Sequence, residues 1–294
     1  MPSPAGAPVI AGRLAILAGR GRFPVLVARA AREQGHNPYI VAISGEADQD
    51  WSDYDHRDLA IADLAGFART VRDQGIGTVV LAGAIDRRPD LADIRPTWRA
   101  VTGFLTSFFA VLSAGGDDKL LRVAIRILEN EGVRVVAAQT IAPGLLSCPG
   151  PLGRVRPGRA DDADIKAAGD AAFLLGKLDV GQGAIAVGGR VVALEGLEGT
   201  DAMLARVAGL RASGRLGTRH GGVLVKLCKP GQEERADLPS IGPDTVTGAH
   251  AAGLSGIAVE AGRALVLERE RMVAEADRLG LFVTGIAPPG GGAD

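Results

Sequence analysis

Short apolar runs alternate with amphipathic stretches through the first half of the chain. Leu14-Ala15-Ile16-Leu17-Ala18, residues Pro38 to Ser44 and residues Thr78 to Ile85 read as buried strands. The Ala/Arg-rich stretch that follows Pro24 and ends at Gly35, and residues Asp58 to Gln74, read as helices. This β-α-β-α-β order predicts a Rossmann-like parallel sheet whose functional loops lie at the carboxyl ends of its strands. Gly19, Gly21 and Gly83 then share one rim. Trp98 to Leu112 is apolar almost all round, and Phe104, Phe108, Phe109 and Leu112 are expected in a core or lining a site for hydrocarbon. Gly115 to Leu121 opens a further helix that closes near Gly132, with Asp117 or Asp118 as its N-cap or as a magnesium pair. A strand from Val133 to Ala138 follows.

The pattern then breaks. Pro143, Gly144, Pro149, Gly150, Pro151, Gly153, Pro157 and Gly158 crowd a stretch that also carries Arg154, Arg156 and Arg159. We expect an N-terminal domain over 13–142, a linker over 143–162 and a C-terminal mixed α/β domain over 163–287. The arginines suit a solvated linker face or the neighbourhood of anionic headgroups. The second domain opens with a helix from about Ala163 to Leu178. The Gly188-Gly189 pair between two apolar runs predicts a hairpin over Ala184 to Glu195. A similar pattern from Gly256 to Glu268, again followed by a helix at Arg269 to Leu279, suggests a second hairpin and an internal duplication.

Composition limits the partners. The 294 residues hold 33 basic and 34 acidic side chains, so no net field draws nucleic acid and any anion site is local. Cys148 and Cys228 are too few and too far apart for a disulfide scaffold or zinc cluster, which fits a reducing compartment. The sequence shows neither a membrane-span pattern nor a signal-peptide layout, and a cytoplasmic protein is expected.

The densest candidate chemistry runs from Lys226 to Thr245. Strand Gly222 to Lys226 feeds a loop carrying Lys229, Arg235 and Asp237, stiffened by Pro230-Gly231, Pro239 and Gly242-Pro243, and Pro243 starts a short helix. A strand end joined to a helix start is a usual anion site in α/β proteins. Lys226, Lys229 and Arg235 are candidate phosphate contacts, and Asp237 is a candidate metal ligand or general base. Gln182 is a turn residue able to read a sugar or phosphate oxygen. Thr200 and Asp201 are caps first and ligand contacts second, Glu195 and Glu198 are candidate metal ligands, and Cys228 is a packing residue. His220 and His250 are expected to be structural. The Gly19-Arg20-Gly21-Arg22-Phe23-Pro24 turn suits a phosphate or sugar contact, a dinucleotide, or a plain βα turn.

Several of these stretches carry a resemblance. Lys226-x-x-Lys229-Pro230-Gly231-Gln232-x-x-Arg235-x-Asp237-Leu238-Pro239-x-Ile241-Gly242-Pro243-x-Thr245, with Asp179-Val180-Gly181-Gln182, Glu198 to Leu204 and Gly256 to Gly262, closely resembles the LpxI family of UDP-2,3-diacylglucosamine pyrophosphatases. The likeness runs from about Leu14 to Gly285 and includes Gly19, Gly21 and Gly116-Asp117-Asp118; at Ile85-Asp86 the chain departs from a more basic family pattern. The resemblance implies a two-domain, magnesium-using enzyme of lipid A biosynthesis. It would hold its substrate between the domains and split it into UMP and the diacylglucosamine 1-phosphate, lipid X. It further implies Asp237 as the key catalytic residue, Asp237 and Glu198 at the metal, and substrate contacts at Gly19, Gly21, Gly83, Gln182, Thr200, Asp201, Lys226, Lys229 and Arg235. A lipid substrate without an anchor implies loose contact with the cytoplasmic face of the inner membrane, and a homo-oligomer is compatible. The competing accounts are a Rossmann-type oxidoreductase and a non-catalytic sugar-nucleotide-binding module.

Overall fold

The computed structural model describes residues 10–85, 117–216 and 221–289. The readings made above for Phe104, Phe108, Phe109, Leu112, Asp86 and His220, and for the side chains of Asp117 and Asp118, lie outside the described residues. Elements are numbered in chain order. The chain divides into two compact units, one comprising 1–144 together with Glu233–Asp237, the other 145–232 and 238–294.

In the first unit, β1 (Arg13–Ala18), α1 (Phe23–Glu33), β2 (Tyr39–Ile43), β3 (His56–Leu59), α2 (Leu64–Gln74), β4 (Ile76–Ala82), α3 (Asp117–Asn130), β5 (Arg134–Val136) and α4 (Ala138–Ile141) follow one another. The sheet order is β3-β2-β1-β4-β5, and every pairing is parallel. Central β1 is apolar in nearly every position because both its faces are covered. Ala15, Val41 and Val79 pack against Phe67 and Val71 of α2 and Ile125 and Leu128 of α3. Each valine, leucine, isoleucine or phenylalanine among them contributes roughly 1.5–3 kcal/mol on burial.

Residues Asp58 to Gln74 are not one helix. His56–Leu59 is the edge strand β3, and α2 starts at Leu64, capped by the Asp63 carboxylate, which accepts from the Gly66 N–H at 2.8 Å. An edge strand needs few apolar residues, so His56-Arg57-Asp58 hid it.

The second unit contains β6 (Gly150–Pro151), α5 (Arg159–Lys177), β7 (Gly183–Val187), β8 (Arg190–Leu194), α6 (Gly199–Ala212), β9 (Val223–Lys226), β10 (Ser240–Ile241), α7 (Pro243–Ala251), β11 (Gly256–Glu260), β12 (Leu265–Val266), α8 (Arg269–Leu279) and β13 (Phe282–Ile286). Its main sheet runs β6-β13-β11-β9-β7-β8, parallel through β13, β11 and β9 and antiparallel outside them. Strand alternation sorts the two faces. Ala184, Ala186, Val223, Val225 and Ala258 pack with Ala168 and Ala172 of α5, whose small side chains allow a close approach. Ile185, Leu224, Ile257 and Val259 pack with Met203 and Leu204 of α6, Val246 of α7 and Met272 of α8.

Two expectations need correcting. The Gly188-Gly189 hairpin forms, joining β7 to β8, but Gly256 to Glu268 is not a second one. Strand β11 is already flanked by β9 and β13, so β12 pairs with β10 in a small separate parallel sheet. Nor is 143–162 a loose connector. Its β6 extends the main sheet at β13, the Leu152 N–H donates to the Val283 carbonyl at 2.8 Å, the Arg154 guanidinium pairs with Asp277 at 3.0 Å, and α5 starts inside it at Arg159. Proline and glycine mark an edge strand here as readily as they mark a linker.

Candidate active site

The glycine rim of the first unit is a backbone crossing. At the carboxyl ends of β1 and β4, the Gly19 N–H donates to the Ala82 carbonyl at 2.8 Å, and Arg20 and Ala84 exchange hydrogen bonds of 2.8 and 3.1 Å. A Cβ on Gly19 would stand 2.4 Å from the Ala84 oxygen; one on Gly83, at φ +94°, would stand 2.7 Å from the Gly19 carbonyl carbon. The structure therefore brings Gly19 and Gly83 together, and this close approach alone requires both glycines. The Gly21 N–H donates to the Asp48 carboxylate at 2.9 Å. Asp48 has its pKa lowered, chiefly by the Gln49 side chain with help from Gly21. An anion on that N–H would have to replace a carboxylate already there.

In the second unit, Lys226 closes β9 with its side chain buried. Its ammonium donates to Thr200 Oγ1 at 2.7 Å and to the Ser240 carbonyl at 3.2 Å, and it stands 3.9 Å from the Glu195 carboxylate. Thr200 in turn donates to Glu195 Oε1, and the Gln182 N–H donates to Glu195 Oε2 at 3.2 Å. Hairpin β7–β8 delivers Gln182 and Glu195 side by side, and the start of α6 delivers Thr200. Four residues singled out in sequence thus form one partly buried network, with Lys226 and Glu195 at its buried end. Within it, Gln182 Oε1 is a buried acceptor with no hydrogen-bond partner, one of two such atoms among the described residues. Glu198 and Asp201 are exposed at the start of α6, Glu198 being paired with Arg206 at 3.3 Å.

The loop after Lys226 is fixed by acceptors aimed at its backbone. Buried Glu260, on β11, accepts from the Cys228 N–H at 3.0 Å. Gln232 Oε1 accepts from the Lys229 N–H at 2.8 Å and from Cys228 Sγ at 3.2 Å. Cys228 is buried, as a packing residue should be. The Lys229 ammonium donates to Asp179, just past α5, at 2.9 Å. Glu260 and Asp179 were visible in the sequence only as members of longer motifs. An aspartate following directly on a helix end, where glycine is usual, was the signal that could have singled out Asp179.

Residues Glu233–Asp237 group with the first unit. Ala236 packs on that unit's core. Arg235 makes a bidentate pair with Glu233 at 2.8 and 2.9 Å and a further bond to Glu129 of α3 at 3.1 Å, while the Gln139 amide donates to the Glu234 carbonyl at 3.2 Å. The Arg235 hydrogen bonds hold Glu233 below the usual carboxylate range, and Arg235 is raised by the same contacts. Asp237 is half-buried, and its N–H closes a turn onto the Glu233 carbonyl at 3.1 Å.

No group of three His, Cys, Asp or Glu side chains able to hold an ion occurs among the described residues. Asp237 belongs to the first unit and Glu198 to the second, so neither unit holds both. The donor set suits magnesium in one form, a partly hydrated ion completed by substrate phosphates, which needs only one or two protein carboxylates.

A doubly wound parallel sheet, joined to a mixed α/β unit whose central strand ends in a lysine-bearing loop, defines a two-unit α/β protein. The LpxI N-terminal domain model matches residues 13–145, and the LpxI C-terminal domain model matches residues 148–284. The chain is also similar to the UDP-2,3-diacylglucosamine pyrophosphatase LpxI of Caulobacter vibrioides, at 39% identity over 277 residues, covering 94% of this chain and 98% of that one. The chain belongs to the LpxI family.

Proposed function

We propose that this protein is a hydrolase that splits the pyrophosphate bond of UDP-2,3-diacylglucosamine into UMP and 2,3-diacylglucosamine 1-phosphate, lipid X, in lipid A biosynthesis. One observation carries the reading: the likeness to a relative with that activity in its name spans nearly the whole of both chains.

The local chemistry supports it. A phosphoanhydride is shielded by its own negative charge, so hydrolysis needs cations and donors around the phosphates. Lys229 supplies the cation. Lys226 holds Thr200 and Glu195 in place from within, because its ammonium is already surrounded by acceptors. Gln182 Oε1, a buried acceptor without a donor, suits a sugar hydroxyl or an ordered water. Asp237 holds the attacking water by accepting its hydrogen bond, and its carboxylate is the one this reading assigns to magnesium. When bound, the ion neutralises phosphate charge and lowers the pKa of a coordinated water. No helix among the described residues is long and apolar enough to cross a membrane. A lipid substrate then favours loose association with the cytoplasmic face of the inner membrane.

The test incubates purified protein with UDP-2,3-diacylglucosamine, with magnesium or with a chelator. UMP should appear only with the metal, and its absence in both arms would sink the proposal. Asp237→Ala should keep the wild-type melting temperature and lose about a hundredfold or more of turnover. Near-normal turnover by the folded variant would remove Asp237 from its role.

A further inference from the structure

Asp179 occupies a backbone position that favours glycine. Helix α5 ends in a Schellman arrangement, with the Val180 N–H donating to the Leu175 carbonyl at 3.2 Å and the Asp179 N–H to the Gly176 carbonyl at 3.1 Å. Asp179 is left at φ +54°, and the only other non-glycine residue with positive φ among the described residues is Glu268. In that conformation the Cβ crowds the following carbonyl, so aspartate is less stable there than glycine. The helix end gains nothing from the carboxylate. Its partner is the Lys229 ammonium, 2.9 Å away, on a lysine side chain only 13% exposed.

A second observation ties the same helix end to the same lysine. A Cβ on Gly176 would stand 3.1 Å from Pro230 Cδ and 3.3 Å from the Lys229 Cα. The last turn of α5 is thus fitted to the backbone of Lys229-Pro230, while Asp179 holds the tip of the Lys229 side chain. With Gln232 accepting from the Lys229 N–H, the lysine is fixed at both ends.

We infer that Asp179 is a positioning residue that pre-orients the Lys229 ammonium for a phosphate of the substrate, which explains why a strained aspartate stands where glycine would be more stable. The inference rests on the proposed pyrophosphatase reading. Lysine is a flexible point charge that loses much rotamer freedom when it is fixed, and a standing ion pair meets that loss before the substrate arrives. Protein kinases hold their phosphate-binding lysine with a glutamate in the same way.

The test compares Asp179→Gly, Asp179→Asn and Lys229→Met by thermal melting and by hydrolysis of UDP-2,3-diacylglucosamine. Asp179→Gly should melt at or above the wild-type temperature, since glycine relieves the strain, and Asp179→Asn should melt close to it. Both should raise KM by about fivefold to thirtyfold with kcat little changed, because the contact serves ground state and transition state alike. In a Lys229→Met background, Asp179→Asn should add nothing. An unchanged or lower KM in the Asp179 variants, or effects that add to Lys229→Met, would overturn the inference while leaving the pyrophosphatase intact. A wild-type protein that does not hydrolyse this substrate overturns the functional reading, and the inference with it.

Discussion

Lys226 shows how far a single residue can be read from sequence. A cation at the end of a strand beside Pro230-Gly231 suits a phosphate contact or a surface lysine, and the structure buries the ammonium against Thr200, the Ser240 carbonyl and Glu195. The cation was legible. Its counter-charge was not, because Glu195 reaches it only after the β7–β8 hairpin has folded back. Removing one member of a buried ion pair leaves the other unpaired in low dielectric. Lys226→Met should therefore destabilise the protein by about 3–5 kcal/mol, measured by urea unfolding. A loss of activity in this variant then has to be read against its stability. Asp237 keeps the role its motif implied as a proposal, and the geometry adds a turn that fixes its backbone.

At the scale of elements, most of the parallel order was readable because strands buried on both faces leave continuous apolar runs, as β1, β2 and β4 do. The failures were edge effects. Strand β3 was lost because its side chains are polar and mostly exposed, and β12 was assigned to β11 because a local pattern cannot show that β11 has neighbours on both sides. The glycine rim belongs to this scale too. Gly19 and Gly83 stand at the carboxyl ends of β1 and β4, where ligands are expected, and they let two strand ends pass each other. Gly83→Ala should destabilise the protein by about 1–3 kcal/mol, through its backbone conformation and the clash with Gly19, visible as a lower melting temperature. A Gly83→Ala protein that melts like wild type would show that the rim can yield.

For the whole molecule, the sequence marks a change of composition at Pro143. The composition change at Pro143 lies close to the gap between the two matched family segments, at 145 and 148. What sequence order concealed is that Glu233–Asp237 groups with the first unit. Its clamp is electrostatic, so it responds to acid. Glu233 titrates below its ordinary value of 4.5 because Arg235 binds the ionised form. A depressed carboxyl pKa gives a contribution that is complete above 4.5 and is lost as pH falls through the lower folded value. Below pH 4.5, wild-type stability should therefore fall more steeply with acid than that of Glu233→Gln, followed by unfolding at stepped pH; parallel curves would show that Arg235 leans on Glu129 instead.

The same grouping sets a limit on how the polypeptide can be divided. A cut at Gly144 yields a leading fragment without the short piece that packs on its core, and a trailing fragment that carries that piece, Asp237 included, away from its Glu129 and Gln139 contacts. The units are separable by compactness but not by scissors. Expressed as independent proteins, such halves should each melt below the intact chain, the leading one for want of the piece that packs on its core.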